Sequence, residues 1–299
     1  MSTNSITTGP ANTSPQFAAA SPHPKFSRHE NPGAPSSSSG KTNLFRQRGF
    51  GTVLATEARV WVRYPSALFF GIALPIVILL VNELLSPGLG ETVQLPGYDI
   101  APGITWAQMV MPQILALATA TPFLTIMPQE MGAQREKQIL KRFSGSPMSP
   151  FALVAAHFII NFAAVLVGTL ITVLLAHFTW GLTWPVSPGA ALLGFILGTL
   201  SMAALGTLIG SRIARATTAS VIGQLVYFPM LILSGAMGAP YPLMNSTMAA
   251  VGRLTPLGAA ARAMQTGWFG GPFPWLELGV VALWILVLAP LGIKLFRWR

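Results

Sequence analysis

Six stretches of this chain, each about 20 residues long and almost free of charge, leave few folds open to it. They run from about Ser66 to Leu85, Ile104 to Met127, Pro150 to Phe178, Pro188 to Ile209, Thr218 to Leu233 or Met237, and Trp275 to Phe296. At the helical rise, about 20 residues cross a hydrocarbon layer about 30 Å thick. In lipid a backbone has to satisfy its own polar groups, which a helix does. Only 9% of the 299 residues are charged, against roughly 25% in an average soluble domain, and a water-soluble core of this size has no room for all six stretches. The expected fold is an all-α integral membrane protein with six transmembrane helices.

Charge sets the expected orientation, because Lys and Arg collect on the cytoplasmic side. Of the 18 basic residues, all but Arg253 and Arg262 fall before the first stretch, between the second and third, between the fourth and fifth, or after the sixth. Both termini are therefore expected to be cytoplasmic, in a multi-pass protein of the inner membrane. The net charge of +10 then records topology, and no nucleic-acid partner is expected. The chain has no Cys, so disulfides and thiolate chemistry are excluded.

Residues 1–44, rich in Ser, Pro, Asn, Thr and Ala, read as a disordered cytoplasmic tail. Gly40-Lys41-Thr42 resembles the end of a phosphate-binding loop, but Pro35 stands where that loop needs its first Gly. Residues 45–65 form the next unit. There Phe50, Val53, Leu54, Ala58 and Trp61 fall at helical spacing, interrupted by Glu57, which predicts an interfacial helix in the inner headgroup layer. Residues 66–299 make up the membrane domain. After the fifth span, a segment punctuated by Gly and Pro predicts two short external re-entrant helices. One lies around Leu243 to Leu254; the other is capped by Thr255, has Pro256 in its first turn and ends at Gly267.

The spans offer little chemistry. They contain no Asp; Glu83 and Glu277 lie near the external ends, and His157 with Asn161 is the polar pair at i, i+4 inside a span. Hydrogen bonding between helices accounts for that pair more simply than a proton relay does. Ser201 sits between Gly194-xxx-Gly198 and Gly206-xxx-Gly210, spacings that let helices approach closely. No catalytic acid–base pair and no metal-ligand set stands out. Gln113, Asn161 and Gln224 are candidates for the walls of a translocation path.

A chain built to move something, with neither an ion relay nor a nucleotide site, draws its energy from a partner. The segment AQREKQILKRFSGSPMSPFALVA, between the second and third spans, is where a partner could push. Glu136, Ile139, Leu140 and Phe143 recur at i, i+3, i+4 and i+7, with Lys137, Lys141 and Arg142 on other faces. That pattern predicts a short basic amphipathic helix, ended by Gly145 and Pro147. Composition alone leaves two uses open for it, force transmission and anionic-lipid binding.

From about Leu54 onward the chain resembles the membrane subunit of a type-2 ABC transporter, the permease family that includes bacterial drug and antibiotic exporters. EARVWVRYPSALFFGIALPIVILL is similar to its interfacial helix, Arg-x-Pro corner and first span; QREKQILKRFSGSPMSPFALVAAHF is similar to its Arg-Glu-Lys loop. LSGAMGAPYPLMNSTMAAVGRLTPLGAAARAM is similar to its external region. The sequence departs from the family at Gln138-Ile139, where Gly-Thr is more usual, and in GAPYPLM, which is poorer in bulky apolar residues.

The resemblance implies that Arg135, Glu136, Lys137, Lys141 and Arg142 couple the permease to a separate ATP-binding subunit, and that Thr255 and Pro256 begin the second external helix. It further implies a homodimer in the lipid bilayer served by two copies of that subunit. ATP and Mg would be held by the partner and no cofactor by this chain, which would itself catalyse nothing. The cargo would be an amphiphilic small molecule such as a drug or antibiotic, or alternatively a lipid-linked or polysaccharide substrate. The export direction too comes from the family. An ion-coupled secondary transporter and a membrane-embedded enzyme are the competing classes; the missing intramembrane carboxylates and acid–base pair count against them.

Overall fold

The structure, a computed structural model, describes residues 50–63, 65–85, 88–93, 103–136, 150–237 and 243–295. The expected tail at residues 1–44 lies outside them, as do Lys137, Lys141, Arg142 and the rest of the expected amphipathic helix beyond Glu136. The described residues are helical with no strand; an isolated bridge joins Thr92 and Thr105. The helices are α1 (Phe50–Val62), α2 (Pro65–Leu85), α3 (Trp106–Glu136), α4 (Pro150–Trp180), α5 (Pro188–Arg212), α6 (Ala216–Leu233), α7 (Ser246–Leu254), α8 (Pro256–Phe269) and α9 (Trp275–Leu295). Six of them, α2 to α6 and α9, are long and apolar enough to cross a membrane.

The boundaries follow the sequence except at the second span. Instead of stopping near Met127, α3 continues to Glu136, 31 residues in all, or about 46 Å at the helical rise. Two π turns lie beside prolines within spans, whereas Pro112, Pro229 and Pro290 sit inside α-helix. At Phe69–Ala73 the turn precedes Pro75, and at Pro122–Ile126 it begins with a proline. Each ends in an i to i−5 bond, Leu74 N–H to Phe69 O and Met127 N–H to Pro122 O, so the helix absorbs the missing donor without breaking.

α3 is buried along nearly its whole length, whereas α2 and α6 are largely exposed. Small residues let its neighbours come close. A Cβ on Gly206 of α5 would overlap the Phe123 carbonyl oxygen, one on Gly223 of α6 the Leu124 carbonyl oxygen, and one on Gly210 would stand 2.7 Å from Met131 Sδ. Backbone contact of this kind gains packing that lipid tails cannot supply. Ser201 is buried, and its hydroxyl donates to Gly198 O at 2.8 Å, within its own helix.

The segment after α6 packs into this bundle. α8 runs antiparallel to the first half of α5, with Gly267 against Ala191, Gly194 against Met264 and Gly198 against Ala260. As the sequence predicts, Thr255 caps α8, its Oγ1 accepting from Gly258 N–H at 3.1 Å. The end differs from expectation. Gly267 stays within the helix, where Ala191 occupies the space a side chain would need, and the helix stops at Gly270, whose φ of +80° suits glycine. Glu277, at the start of α9, receives Arg253 at 2.8 Å and Arg262 at 3.3 Å, which accounts for the two basic residues outside the charge pattern. Thr255→Ala removes the cap and should cost about 1 kcal/mol, read as a lower unfolding midpoint in detergent.

Candidate functional site

A cavity of about 510 Å³ opens in the half of the bundle where α3 ends. That end also carries Arg59, Arg63, Arg135, Arg212, Arg215 and Lys294, and we refer to it as the basic end. α1 contributes Glu57 and Val60, and α2 contributes Phe70 and Leu74. α3 presents Thr121, Thr125 and Gln129 along one row and Glu130 and Gln134 along the next, each four residues apart as helical geometry requires. His157 enters from α4, and Gln224, Tyr227 and Phe228 from α6. The wall is thus apolar and aromatic with a few convergent polar groups, the usual make-up of a small-molecule site.

His157 is the hub of the polar part. Its Nδ1 lies 3.2 Å from Glu130 Oε2 and its Nε2 lies 2.9 Å from Gln134 Nε2. When the Gln134 amide donates to a bare Nε2, the ring proton sits on Nδ1 and faces the Glu130 carboxylate. Behind the ring, Asn161 Nδ2 donates to His157 O at 2.9 Å, and Trp61 Nε1 donates to Asn161 Oδ1 at 3.4 Å. Trp61 is itself buried, its ring against Gly71 of α2. This chain of contacts ties α1, α3 and α4 together at one level. A second tie is the Tyr227 hydroxyl, 2.6 Å from Thr121 Oγ1, which joins α6 to α3.

Directly below Gln134, the next two residues hold the turn between α5 and α6. Arg135 Nη1 donates to Gly210 O at 2.7 Å and to Ile213 O at 3.3 Å, where α5 ends. Glu136 Oε2 accepts the Ala216 N–H at 3.3 Å, where α6 begins. A cation at a helix C-terminus and an anion at a helix N-terminus both oppose the helix dipoles, and here adjacent residues supply both. A Cβ on Gly132 would stand 3.0 Å from the Ala216 backbone, so contact between α3 and this turn is close.

The residues expected from sequence are therefore not gathered in one place. Of the five coupling candidates, Arg135 and Glu136 belong to the end of α3 rather than to a free loop, and both bond to the α5–α6 turn. Of the three path candidates, Gln224 lines the cavity, with its amide donating to Ser220 Oγ at 3.3 Å. Asn161 is wholly buried behind His157. Gln113 is buried farther along α3, its amide end set against Val110 O and Met109 O of its own helix.

Sequence reasoning passed over Glu130, Gln134 and Glu57. Glu130 and Gln134 fall beyond Met127, where the apolar run weakens, and Glu57 reads as a flaw in an apolar stripe. Their signal was available in the i, i+4 spacing of Glu130 and Gln134, which puts both on one face if the helix continues.

Residues 94–294, about two thirds of the chain, match the family model described as ABC-2 family transporter protein. No curated protein matches it.

Proposed function

The chain belongs to the ABC-2 transporter family, a membrane transport component that works with an ATP-binding subunit, and from that premise we propose that it is the permease of an ATP-driven exporter. In this reading a second copy of the chain completes the translocation path, and two ATP-binding subunits dock at the basic end, on the cytoplasmic side of the inner membrane. ATP and Mg stay on those subunits. α1 lies in the inner headgroup layer, and α7 and α8 are half-helices entering from the outer face. The cargo is an amphiphilic small molecule, a drug or antibiotic, which suits an apolar cavity of about 510 Å³ better than a polymer does.

The observation that carries this reading is continuity. Gln134 holds His157 in the cavity, and the next residues on the same helix, Arg135 and Glu136, hold the α5–α6 turn. A displacement applied to the segment after Glu136 therefore reaches the cavity wall and α6 through one rigid helix. ATP-driven closure of the partners would shift the permease between inward-open and outward-open arrangements, which needs several kcal/mol of differential binding. Lys137, Lys141 and Arg142 would make the outer contact with the partner, with Arg135 and Glu136 relaying it.

The test is purification of the tagged chain from its host in mild detergent. An ATP-binding subunit should co-purify, and Lys141→Ala with Arg142→Ala should release it while leaving the permease monodisperse. Recovery of the chain alone, in conditions that preserve other ABC complexes, would overturn the proposal.

A further inference from the structure

Resting on that transport reading, we propose that the cavity selects cations, taking the positively charged end of an amphiphile between Glu57 and Glu130. The charge distribution is the first argument. The chain has 18 Lys and Arg against 8 Asp and Glu, yet two carboxylates line this cavity and no Lys or Arg does, although five arginines lie at the same end of the bundle. Among the described residues the Glu57 side chain makes no hydrogen bond or close ion pair, and Glu130 has its ion-pair contact with His157, whose ring also feels the Glu57 charge. Both carboxylates look onto a largely apolar space. Partial desolvation of two like charges is unfavourable, and an arriving cation offsets it.

The rest of the wall fits the same ligand. Phe70, Tyr227 and Phe228 offer aromatic faces, which attract organic cations through the ring quadrupole. Leu74 and Ile126 add apolar surface for an uncharged body. An anionic substrate would face two carboxylates with no Lys or Arg in the wall, an arrangement that disfavours it.

The test uses the full chain with its co-purified subunit in phosphatidylcholine nanodiscs, with empty discs subtracted. Radiolabelled tetraphenylphosphonium should bind saturably, and tetraphenylborate, of the same shape and opposite charge, should not compete for the site. The double variant E57Q/E130Q should weaken phosphonium binding at least about tenfold, while weak binding of neutral triphenylphosphine oxide stays the same and so reports an intact cavity. Equal binding of phosphonium and borate, or unchanged phosphonium affinity in the double variant, would overturn the assignment. If the double variant does not purify as a monodisperse species, E57Q alone and the phosphonium-to-borate preference of the native chain decide the matter. Failure of the transport reading shows separately, as a chain that purifies without an ATP-binding subunit, because phosphonium binding is scored without nucleotide.

Discussion

Gly206→Val should abolish the native bundle or leave it at least about 3 kcal/mol less stable. A Cβ at this position overlaps the Phe123 carbonyl oxygen, and that oxygen belongs to the backbone of the buried α3, which cannot rotate away as a side chain would. Relief requires α5 to move off α3. Such a movement would also break the Gly210 contact with Met131 and pull on the α8 packing at Gly194 and Gly198. The measurement is the yield of monodisperse protein and its unfolding midpoint in detergent. Gly279→Ala is the matched control, because nothing lies within 4 Å of a Cβ there. It should be neutral or slightly stabilising, by up to about 1 kcal/mol, from helix propensity alone. Equal behaviour of the two variants would mean that α5 and α3 are not in backbone contact.

Arg135→Ala should separate ATP hydrolysis from transport. The guanidinium joins α3 to two carbonyls at the end of α5, and hydrogen bonds from a charged group contribute about 1.5–3 kcal/mol each where they are partly buried. Losing them loosens the hold of α3 on the α5–α6 turn, leaving the exposed Glu136 bond and the Gly132 contact, so that motion of the coupling segment reaches α6 less fully. In proteoliposomes holding the permease and its ATP-binding subunit, cargo moved per ATP should fall about tenfold or more, with the subunit still bound. Arg135→Lys should recover much of the loss, since both carbonyls are held from one nitrogen, Nη1, and an ammonium keeps the charge and has donors for both. Glu136→Gln should have a smaller effect, because its single bond is long and exposed. Loss of the subunit on Arg135→Ala would instead place Arg135 in the contact surface itself, as the family resemblance implies.

The comparison of sequence with structure turns on particular residues. The six apolar stretches, the Thr255 cap and the glycine spacings of α5 were legible because each rests on a local rule: hydrocarbon thickness, an unpaired N–H, or the 3.6-residue turn. The end of α3 was not. Its residues from Pro128 to Glu136 are polar enough to read as loop, and they remain helical because the packed α5 and α6 satisfy Arg135 and Glu136. Gly267 shows the same limit in reverse. Its sequence context suggests a stop, but its neighbour Ala191, remote in the chain, makes it a packing site.

By itself, then, the sequence determined the class of protein: six membrane-spanning helices, with all but two of the basic residues falling in the terminal segments and alternate connections. It also determined the likeness to a permease that leaves energy to a partner. Only the tertiary structure decided where the polar groups meet. Glu57, Glu130 and His157 stand on three different helices, far apart in the chain, and join one cavity because the helices between them cross at close range. Hydropathy records how well each helix suits lipid, which is a property of one segment. Which faces turn toward each other depends on packing between segments, and no single segment encodes that.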